Sequence, residues 1–270
     1  MNITGHTRLA CLLGSPVEHS KSPALQTGLF QGDGIDCVYL AFDIKPDQLG
    51  SSVEFLKNIN AIGFNLTMPL KEYIQPYLDY ISPASELSHS VNTVKITDGK
   101  LYGYTTDGVG FTGSIMETGF DFKDSTITVL GAGGTASSMI VETALTHKAT
   151  INVFKRQGPT FAAYQEFLDR VAAKSGADIQ LIDMADKVAF GKAIAESDVL
   201  VNATNVGMGD DTRSLVPVEF LRPGLIVMDA IYNPLDTTLL KDAAAAGCTV
   251  VHGDRMLYHQ GVASYKIWTS

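Results

Sequence analysis

The fold of this chain is decided by residues 125–145, which read STITVLGAGGTASSMIVETAL. An apolar, β-branched run is followed at once by glycines and then by a stretch of helical period rich in small residues. This is a G-x-G-x-x-A spacing between a buried strand and a helix; without that context the glycines would indicate only an ordinary turn. The first glycine permits a tight turn, the second lets backbone approach a diphosphate, and the alanine lets the helix lie against the strand. The predicted dinucleotide-binding loop comprises Gly131, Ala132, Gly133, Gly134, Thr135 and Ala136.

The end of the next predicted strand, ATINVF, indicates which dinucleotide is bound. An NAD-specific fold places a carboxylate about there, but the residues are Lys155, Arg156 and Gln157. Two cations suit a 2′-phosphate, and an arginine can stack on adenine and fork to phosphate oxygens. The pattern therefore favours NADP over NAD. The other interpretation is that both cations only solvate a strand end.

Short apolar runs separated by stretches of helical period occur along the whole chain and predict an α/β protein with parallel sheets. They read RLACLLG, CVYLAFD, TINVF, DVLVN, GLIVMD and TVVHG. About a hundred residues precede the glycine loop, which is enough for a separate domain. We expect a helix at 107–119, DGVGFTGSIMETG, to form the junction.

The composition of the 270 residues excludes several classes of protein. Lysine and arginine number 20 against 29 aspartates and glutamates, so the formal net charge of −9 argues against a nucleic-acid surface. The chain has no apolar run of membrane-spanning length and no signal-like amino terminus. The cysteines Cys11, Cys37 and Cys248 are far apart and odd in number, against a disulfide framework or a zinc cluster. We expect a cytoplasmic protein that binds no metal, nucleic acid or membrane.

Two serines in the segment GSPVEHSKSP (14–23) are candidates for binding an anion. Ser20 and Ser22 lie one residue apart after a predicted strand, and their neutral hydroxyls could both reach one carboxylate. The alternative is that Ser22 caps a helix with Pro23 in its first turn.

A lysine and an aspartate follow further strand signals. Lys71 ends the segment GFNLTMPLK (63–71), and Asp107 lies in GYTTDG (103–108), after VNTV (91–94). The carboxyl ends of parallel strands are where α/β proteins bind ligands. A lone lysine or aspartate is nevertheless usually solvated surface.

Taken together and in this order, the motifs resemble the shikimate dehydrogenase family, in particular its quinate/shikimate dehydrogenase branch. MPLK (68–71), without the histidine often found before the lysine, is similar to that branch. The motifs that carry the resemblance are S-x-S at Ser20 and Ser22, N-x-T-x-P-x-K ending at Lys71, V-N-T at Asn92, T-D-G at Asp107, the glycine loop, Asn202-Ala203-Thr204, DAIYNP from Asp229 and MLYHQG from Met256.

The resemblance implies a three-layer α/β substrate domain at 1–106, completed by a returning carboxyl-terminal helix within 241–270, and a Rossmann-like domain at 107–240. It implies reversible, NADP-dependent reduction of 3-dehydroshikimate to shikimate, with Lys71 and Asp107 as the catalytic pair. The ring's carboxylate and hydroxyls would be held by Ser20, Ser22, Thr67, Asn92 and Gln260, besides Asp107. Cofactor contacts would come from the glycine loop, Lys155, Arg156, Ala203, Thr204 and Gly253.

Several departures from the family pattern leave alternatives open. Gln26 and Thr27 replace a common histidine and asparagine, Thr105 replaces an asparagine, and Lys155-Arg156-Gln157 stands where N-R-T is common. Quinate as substrate and NAD as cofactor are therefore kept as alternatives. The rival classes are a folate-type methylene dehydrogenase and a non-catalytic sensor. A homodimer is compatible with the sequence, which is silent on oligomeric state.

Overall fold

The structure is a computed structural model that describes residues 2–270, and the chain within it divides into two units. Unit 1 comprises residues up to Asp107 together with Leu257–Ser270, and unit 2 comprises Gly108–Met256. Each unit is built on its own six-stranded sheet.

Unit 1 carries a mixed sheet, which differs from the expected parallel one. Its strands have the order β2-β1-β3-β5-β6-β4, and β5 runs antiparallel to both neighbours. Between β5 and β6 the direction follows from a two-residue hairpin turn at Asp98 and Gly99, both with positive φ, which folds β6 back on β5. The elements are β1 (Arg8–Gly14), α1 (Ser22–Gly32), β2 (Cys37–Asp43), α2 (Leu49–Asn58), β3 (Gly63–Leu66), β4 (Tyr80–Ile81), α3 (Pro83–Ser88), β5 (Thr93–Thr97) and β6 (Lys100–Tyr104), with 3-10 turns at Pro46–Gln48 and Gln75–Tyr77.

Helices cover both faces of this sheet, so the expected three layers are present. Successive residues of a strand point to opposite faces. Ala10 and Leu12 therefore pack in a cluster with Phe30 of α1, while Cys11 and Leu13 pack in another with Val53 of α2. The cluster around Phe30 also receives Tyr265 and Trp268 of the carboxyl-terminal helix.

Unit 2 carries a fully parallel sheet of order β12-β11-β10-β7-β8-β9. Read from its first strand, β7, this is the doubly wound order 3-2-1-4-5-6, which reverses between β7 and β10. The elements are α4 (Asp107–Met116), β7 (Thr126–Leu130), α5 (Gly134–His147), β8 (Thr150–Lys155), α6 (Phe161–Ser175), β9 (Ile179–Asp183), α7 (Lys187–Glu196), β10 (Val199–Asn202), a 3-10 turn (Val218–Phe220), β11 (Ile226–Asp229), α8 (Thr238–Ala245) and β12 (Thr249–Val251). The last helix, α9 (Gly253–Thr269), begins in unit 2 and belongs to unit 1 from Leu257 onward.

Two helices carry the chain from one unit to the other. The expected junction helix is α4, which begins at Asp107, and the chain returns through α9. The return lies at Leu257 rather than at the predicted residue 241, because β12 pairs with β11 and so extends the second sheet. Within residues 2–270, no helix is both long enough and apolar enough to span a bilayer.

The end of α9 packs on the first sheet at a glycine. Trp268 Nε1 donates a hydrogen bond to the carbonyl of Val94, at 2.9 Å. A Cβ at Gly63 would collide with both the Val94 carbonyl and the Trp268 ring. The absence of a side chain at Gly63 therefore lets α9 approach β3 closely.

We expect Gly63→Ala to lower the free energy of unfolding of unit 1 by about 1–3 kcal/mol, the usual cost of overpacking a core. Urea unfolding followed by the fluorescence of Trp268, the single tryptophan, reports on this contact directly. Gly28→Ala is the matched control, since Gly28 lies on α1 and a Cβ there meets nothing within 4 Å. A Gly63→Ala protein as stable as Gly28→Ala would contradict the packing role.

Candidate active site

The structure brings Lys71 and Asp107 together. Lys71 follows β3, Asp107 is the first residue of α4, and Lys71 Nζ forms an ion pair with Asp107 Oδ2. Their side chains are 18% and 8% exposed, so Asp107 is buried while Lys71 keeps some access to solvent. Asp107 also lies in the first turn of α4, at the positive end of the helix dipole.

Asn92 fixes the orientation of Asp107. The backbone N–H of Thr106 donates to Asn92 Oδ1 at 2.9 Å, and Thr93 Oγ1 donates to the same oxygen at 2.9 Å. Because a backbone N–H can only donate, this contact identifies the oxygen end of the carboxamide. The amide end therefore faces Asp107 and donates to Oδ1 at 2.7 Å. Asp107 thus accepts from Asn92 on one oxygen and contacts Lys71 with the other.

Ser20 and Ser22 lie at the start of α1. Ser22 is the first helical residue and Lys21 the N-cap residue, so the suggestion that Ser22 is the cap is wrong. The hydroxyl of Ser20 instead accepts from the backbone N–H of Ser22, at 3.2 Å. Ser20 lies in the loop that leaves the carboxyl end of β1, and Ser22 follows directly after that loop.

Thr67 lies in the loop that leaves the carboxyl end of β3, the parallel neighbour of β1. Its backbone N–H donates to the carbonyl of Leu13 at 2.9 Å. A Cβ at Gly14 would collide with the methyl group of Thr67, so the two loops pass closely here. The segments that carry four of the predicted site residues consequently begin at the same end of the sheet, the carboxyl ends of β1 and β3. These residues are Ser20, Ser22, Thr67 and Lys71.

Gln260 of α9 is linked to the same group through Thr106. Thr106 Oγ1 lies 3.4 Å from Gln260 Oε1 and 3.0 Å from Asn92 Nδ2. Gln260 Nε2 donates to the carbonyl of Leu257 in its own helix, at 2.9 Å. The α9 residue predicted from the resemblance therefore lies beside the Asn92–Asp107 pair, although it is far away in sequence.

The sequence predicted no role for the buried polar residues around this group, although Asn65 begins the N-x-T-x-P-x-K motif. Asn65 donates through Nδ2 to the carbonyl of Asn92 and to Thr93 Oγ1, both at 3.0 Å, and it accepts from the Tyr39 hydroxyl at 2.8 Å. The available signal was an asparagine within the otherwise apolar strand GFNL (63–66). Burial raises the pKa of Tyr39 well above its usual value, which keeps its hydroxyl a donor.

The glycine loop of unit 2 has the geometry that a diphosphate requires. Gly131 has φ of +120°, and a Cβ there would lie 2.9 Å from the carbonyl oxygen of Ala203. Gly133 is the N-cap residue of α5, and a Cβ there would meet nothing within 4 Å. Gly134 and Thr135 open the helix, and Ala136 packs fully buried in its first turn. The residues present therefore fit a dinucleotide phosphate at a helix amino terminus.

The loop after β10 is held beside Gly131 by a buried carboxyl group. Asn202 Oδ1 accepts from the backbone N–H and the hydroxyl of Thr204, at 3.1 and 2.7 Å. Asn202 Nδ2 in turn donates to Asp229 Oδ1 at 3.1 Å. Burial raises the pKa of the Asp229 carboxyl, and hydrogen bonds from Ile231, Thr237 and Asn202 oppose that rise. Asp229 thus supports the loop that carries Ala203 and Thr204.

The remaining predicted cofactor residues divide by environment. Lys155 Nζ donates to Thr160 Oγ1 at 2.8 Å, and Arg156 is exposed at the end of β8. Gly253 is buried, and a Cβ there would collide with the carbonyls of Ala230 and Ile231, so packing alone requires a glycine.

Across residues 2–270, no three His, Cys, Asp or Glu side chains are grouped to hold a metal ion.

Comparison with known proteins places the chain. A family model described as the shikimate dehydrogenase substrate binding domain matches residues 12–94. The chain is 39% identical to a shikimate dehydrogenase (NADP(+)) of Listeria innocua, over 99% of this chain and 92% of that protein. It is 36% identical to a quinate/shikimate dehydrogenase of Escherichia coli, over 100% of this chain and 94% of that one. A crystal structure of shikimate 5-dehydrogenase from Listeria monocytogenes in complex with shikimate and NAD is 38% identical, with a TM-score of 0.93, and covers 100% of this chain and 94% of that one.

The chain belongs to the shikimate dehydrogenase family. The family expected from the motifs is confirmed, and relatives named for its quinate/shikimate branch are among the matches. The expected combination of a substrate domain and a Rossmann-like domain is confirmed as well.

Two of the departures from the family pattern, Gln26 and Thr27, lie in α1 and contact other elements of unit 1. Gln26 is buried, and its Nε2 donates to the carbonyl of Gly261 at 2.9 Å, next to Gln260. Thr27 Oγ1 accepts from the backbone N–H of Tyr39 at 3.1 Å. In this member of the shikimate dehydrogenase family, these side chains support the elements that carry the site.

Proposed function

We propose that this protein is a shikimate dehydrogenase that catalyses the reversible, NADP-dependent reduction of 3-dehydroshikimate to shikimate. The observation that carries the proposal is the ion pair of Lys71 with an Asp107 that Asn92 holds in place. The names of the Listeria relatives and the shikimate in one of their structures support the choice of ring.

Lys71 and Asp107 are proposed to move the proton of the reacting oxygen. An alcohol releases hydride only while its proton is leaving, so a basic group must contact that oxygen. To take up this proton Lys71 must present its amine lone pair to the oxygen, and the ammonium that forms donates one N–H to Asp107 while another points back to the ring oxygen. In the reducing direction the ammonium returns the proton and stabilises the developing negative charge. The dinucleotide, when bound, supplies or accepts the hydride.

The ring's other groups are assigned to side chains of unit 1. Ser20 and Ser22 are proposed to bind the ring carboxylate, and Thr67, Asn92 and Gln260 its hydroxyls. Hydroxyl and amide groups can meet these oxygens without a cationic patch. For Asn92, this role is added to holding Asp107, since its amide already donates to that carboxylate.

The dinucleotide is assigned to unit 2, with NADP preferred. The glycine loop and the start of α5 would receive the diphosphate, and Ala203, Thr204 and Gly253 would complete its surroundings. Lys155 and Arg156 would meet the 2′-phosphate, since they follow β8 where an NAD-binding fold carries an acid. The family includes relatives named for NADP, which supports this choice.

Oxidation of quinate, with NAD or NADP, is the second candidate. It is favoured by the Escherichia coli relative, whose name includes both rings. A sensor without catalysis is disfavoured, because a pure binding protein has no use for a lysine paired with a buried carboxylate. Turnover assays with each ring and each dinucleotide, compared by kcat/KM, separate these candidates because that ratio measures transition-state binding.

With shikimate and NADP, the purified protein is expected to form reduced nicotinamide, followed by its absorbance. Lys71→Ala is expected to lower kcat by about 10²- to 10⁴-fold, the usual contribution of a positioned acid or base, while ring binding stays measurable by calorimetry. Lys57→Ala is the control, because Lys57 pairs only with Glu54 on the surface of α2. Full activity of the Lys71→Ala protein would refute its assigned role.

Arg156→Ala is expected to raise KM for NADP about tenfold and to leave KM for NAD unchanged. The reason is the loss of a charge-assisted contact with the 2′-phosphate, which NAD lacks. Arg170→Ala, at an exposed position of α6, controls for a general loss of positive charge. Equal KM changes for both dinucleotides would refute the assignment of Arg156.

We also propose that two copies of the chain associate through β2. This strand is an edge of the first sheet, and Leu40 and Phe42 on one of its faces are 44% and 38% exposed. Phe55 of α2, which lines a groove together with Phe42, is 58% exposed. An apolar edge strand of this kind readily pairs with another strand.

We place the enzyme in the cytoplasm, which its three free cysteines support and cell fractionation would check.

Analytical ultracentrifugation is expected to give twice the chain mass of 28.9 kDa at micromolar concentration. Leu40→Lys with Phe42→Lys is expected to reduce this to the single chain, because buried charges oppose pairing. Val188→Lys, at an exposed residue of α7, is the control. A wild-type protein that sediments as a single chain would rule out the dimer.

A further inference from the structure

Ser264 connects the substrate residues of unit 1. It lies on α9 one turn after Gln260, is fully buried, and its Oγ lies 3.0 Å from the Gln260 carbonyl. The same oxygen lies 2.8 Å from Thr93 Oγ1 and accepts from Asn65 Nδ2 at 3.1 Å. One hydroxyl therefore joins α9 to strands β3 and β5.

The partners of Ser264 are also the partners of Asn92. Thr93 Oγ1 donates to Asn92 Oδ1 at 2.9 Å, and Asn65 Nδ2 donates to the Asn92 carbonyl at 3.0 Å. A serine oxygen can accept two hydrogen bonds while it donates one. Because the single proton of the Thr93 hydroxyl goes to Asn92, Ser264 accepts from Asn65 and shares its own proton between Thr93 Oγ1 and the carbonyl of Gln260.

We infer that Ser264 is a positioning residue for the ring, an inference that rests on the proposed function. It sets the turn of α9 that carries Gln260 against the strand residues that hold Asn92. Without its hydroxyl, the Asn65 amide loses a buried acceptor, Thr93 Oγ1 loses a donor, and Gln260 is no longer tied to β5. Ser264 acts through Gln260 and needs no contact with the ring itself.

Other contacts keep α9 in place when this hydroxyl is removed. Gln26 Nε2 donates to the carbonyl of Gly261 at 2.9 Å, and Trp268 Nε1 donates to that of Val94 at 2.9 Å. The Tyr265 hydroxyl further donates to Asp33. Loss of the Ser264 hydroxyl is therefore expected to loosen one turn of α9 and not to detach the helix.

Steady-state kinetics of Ser264→Ala test the inference. We expect KM for shikimate to rise about five- to tenfold, the size of one lost buried hydrogen bond. We expect kcat to change less than about threefold and KM for NADP to stay constant, because the Lys71–Asp107 ion pair does not involve Ser264.

Ser197→Ala is the matched control. Ser197 is also fully buried, and its Oγ donates to the carbonyl four residues earlier, Ala193, at 2.8 Å, and lies 2.7 Å from Thr128 Oγ1. It precedes β10 at the amino end of that strand, away from the glycine loop. The two variants are expected to lose similar thermal stability, while only Ser264→Ala raises KM for shikimate.

A double-mutant cycle identifies the route of the effect. In a Gln260→Ala background, Ser264→Ala is expected to raise KM for shikimate by less than about twofold, since residues that act through one another are not additive. A full five- to tenfold rise in that background, or an unchanged KM for Ser264→Ala alone, overturns the inference. If Ser264→Ala does not fold, Ser264→Cys keeps the side-chain volume with only a weak donor and acceptor, and it must raise KM for shikimate in the same way.

Failure of the proposed function is distinguishable from failure of this inference. If the wild-type protein fails to reduce NADP with every ring acid tested, the proposed function is contradicted, whatever the variants do. An active wild-type protein whose KM is insensitive to Ser264→Ala contradicts only the positioning role.

Discussion

The arrangement of the site depends on the carboxamide of Asn92, which the backbone N–H of Thr106 allows in one orientation only. Its oxygen accepts hydrogen bonds from the Thr106 N–H and the Thr93 hydroxyl, so its amide group must face Asp107. A buried carboxylate needs such partners, since an unpaired charge is costly away from water. With one oxygen taken by Asn92, the other oxygen of Asp107 is left for Lys71. The orientation of one neutral amide thereby determines where the charged pair lies.

That amide is itself held by residues from distant parts of unit 1. Asn65 of β3, Thr93 of β5 and Ser264 of α9 form a buried set of hydrogen bonds around it. Such networks are favourable only when every donor and acceptor is satisfied, so each member restricts the others. The carboxyl-terminal helix α9 therefore contributes polar groups as well as packing. It supplies Gln260 and the Ser264 hydroxyl that completes this set of hydrogen bonds.

In unit 2 the candidate phosphate site is formed mainly by the backbone and not by side chains. Gly131 turns the chain at positive φ against the Ala203 carbonyl, and α5 begins just after it, so that an anion can be bound at the amino terminus of this helix. The neighbouring loop is fixed by Asn202 on the buried Asp229. A phosphate can be bound in this way without a large positive surface, which agrees with the net charge of −9.

The sequence by itself determined the features that depend on neighbouring residues. The strand–glycine–helix order of 125–145, the alternation of strands and helices, and the chain positions of Lys71 and Asp107 were all readable, because local spacing encodes them. Even the antiparallel turn at Asp98 and Gly99 had a local signal, since an Asp-Gly pair favours such hairpins. The prediction of parallel strands throughout is wrong at this turn, because β6 returns antiparallel to β5.

Only the tertiary structure decided which distant polar groups meet. Asn65 and Ser264 are 199 residues apart in the chain, and no periodicity predicts that they share a hydrogen bond. The return at Leu257 likewise follows from the pairing of β12 with β11, which is a property of the assembled sheet. Spacing along the chain records local geometry, whereas a buried hydrogen bond between remote residues exists only once the layers have packed.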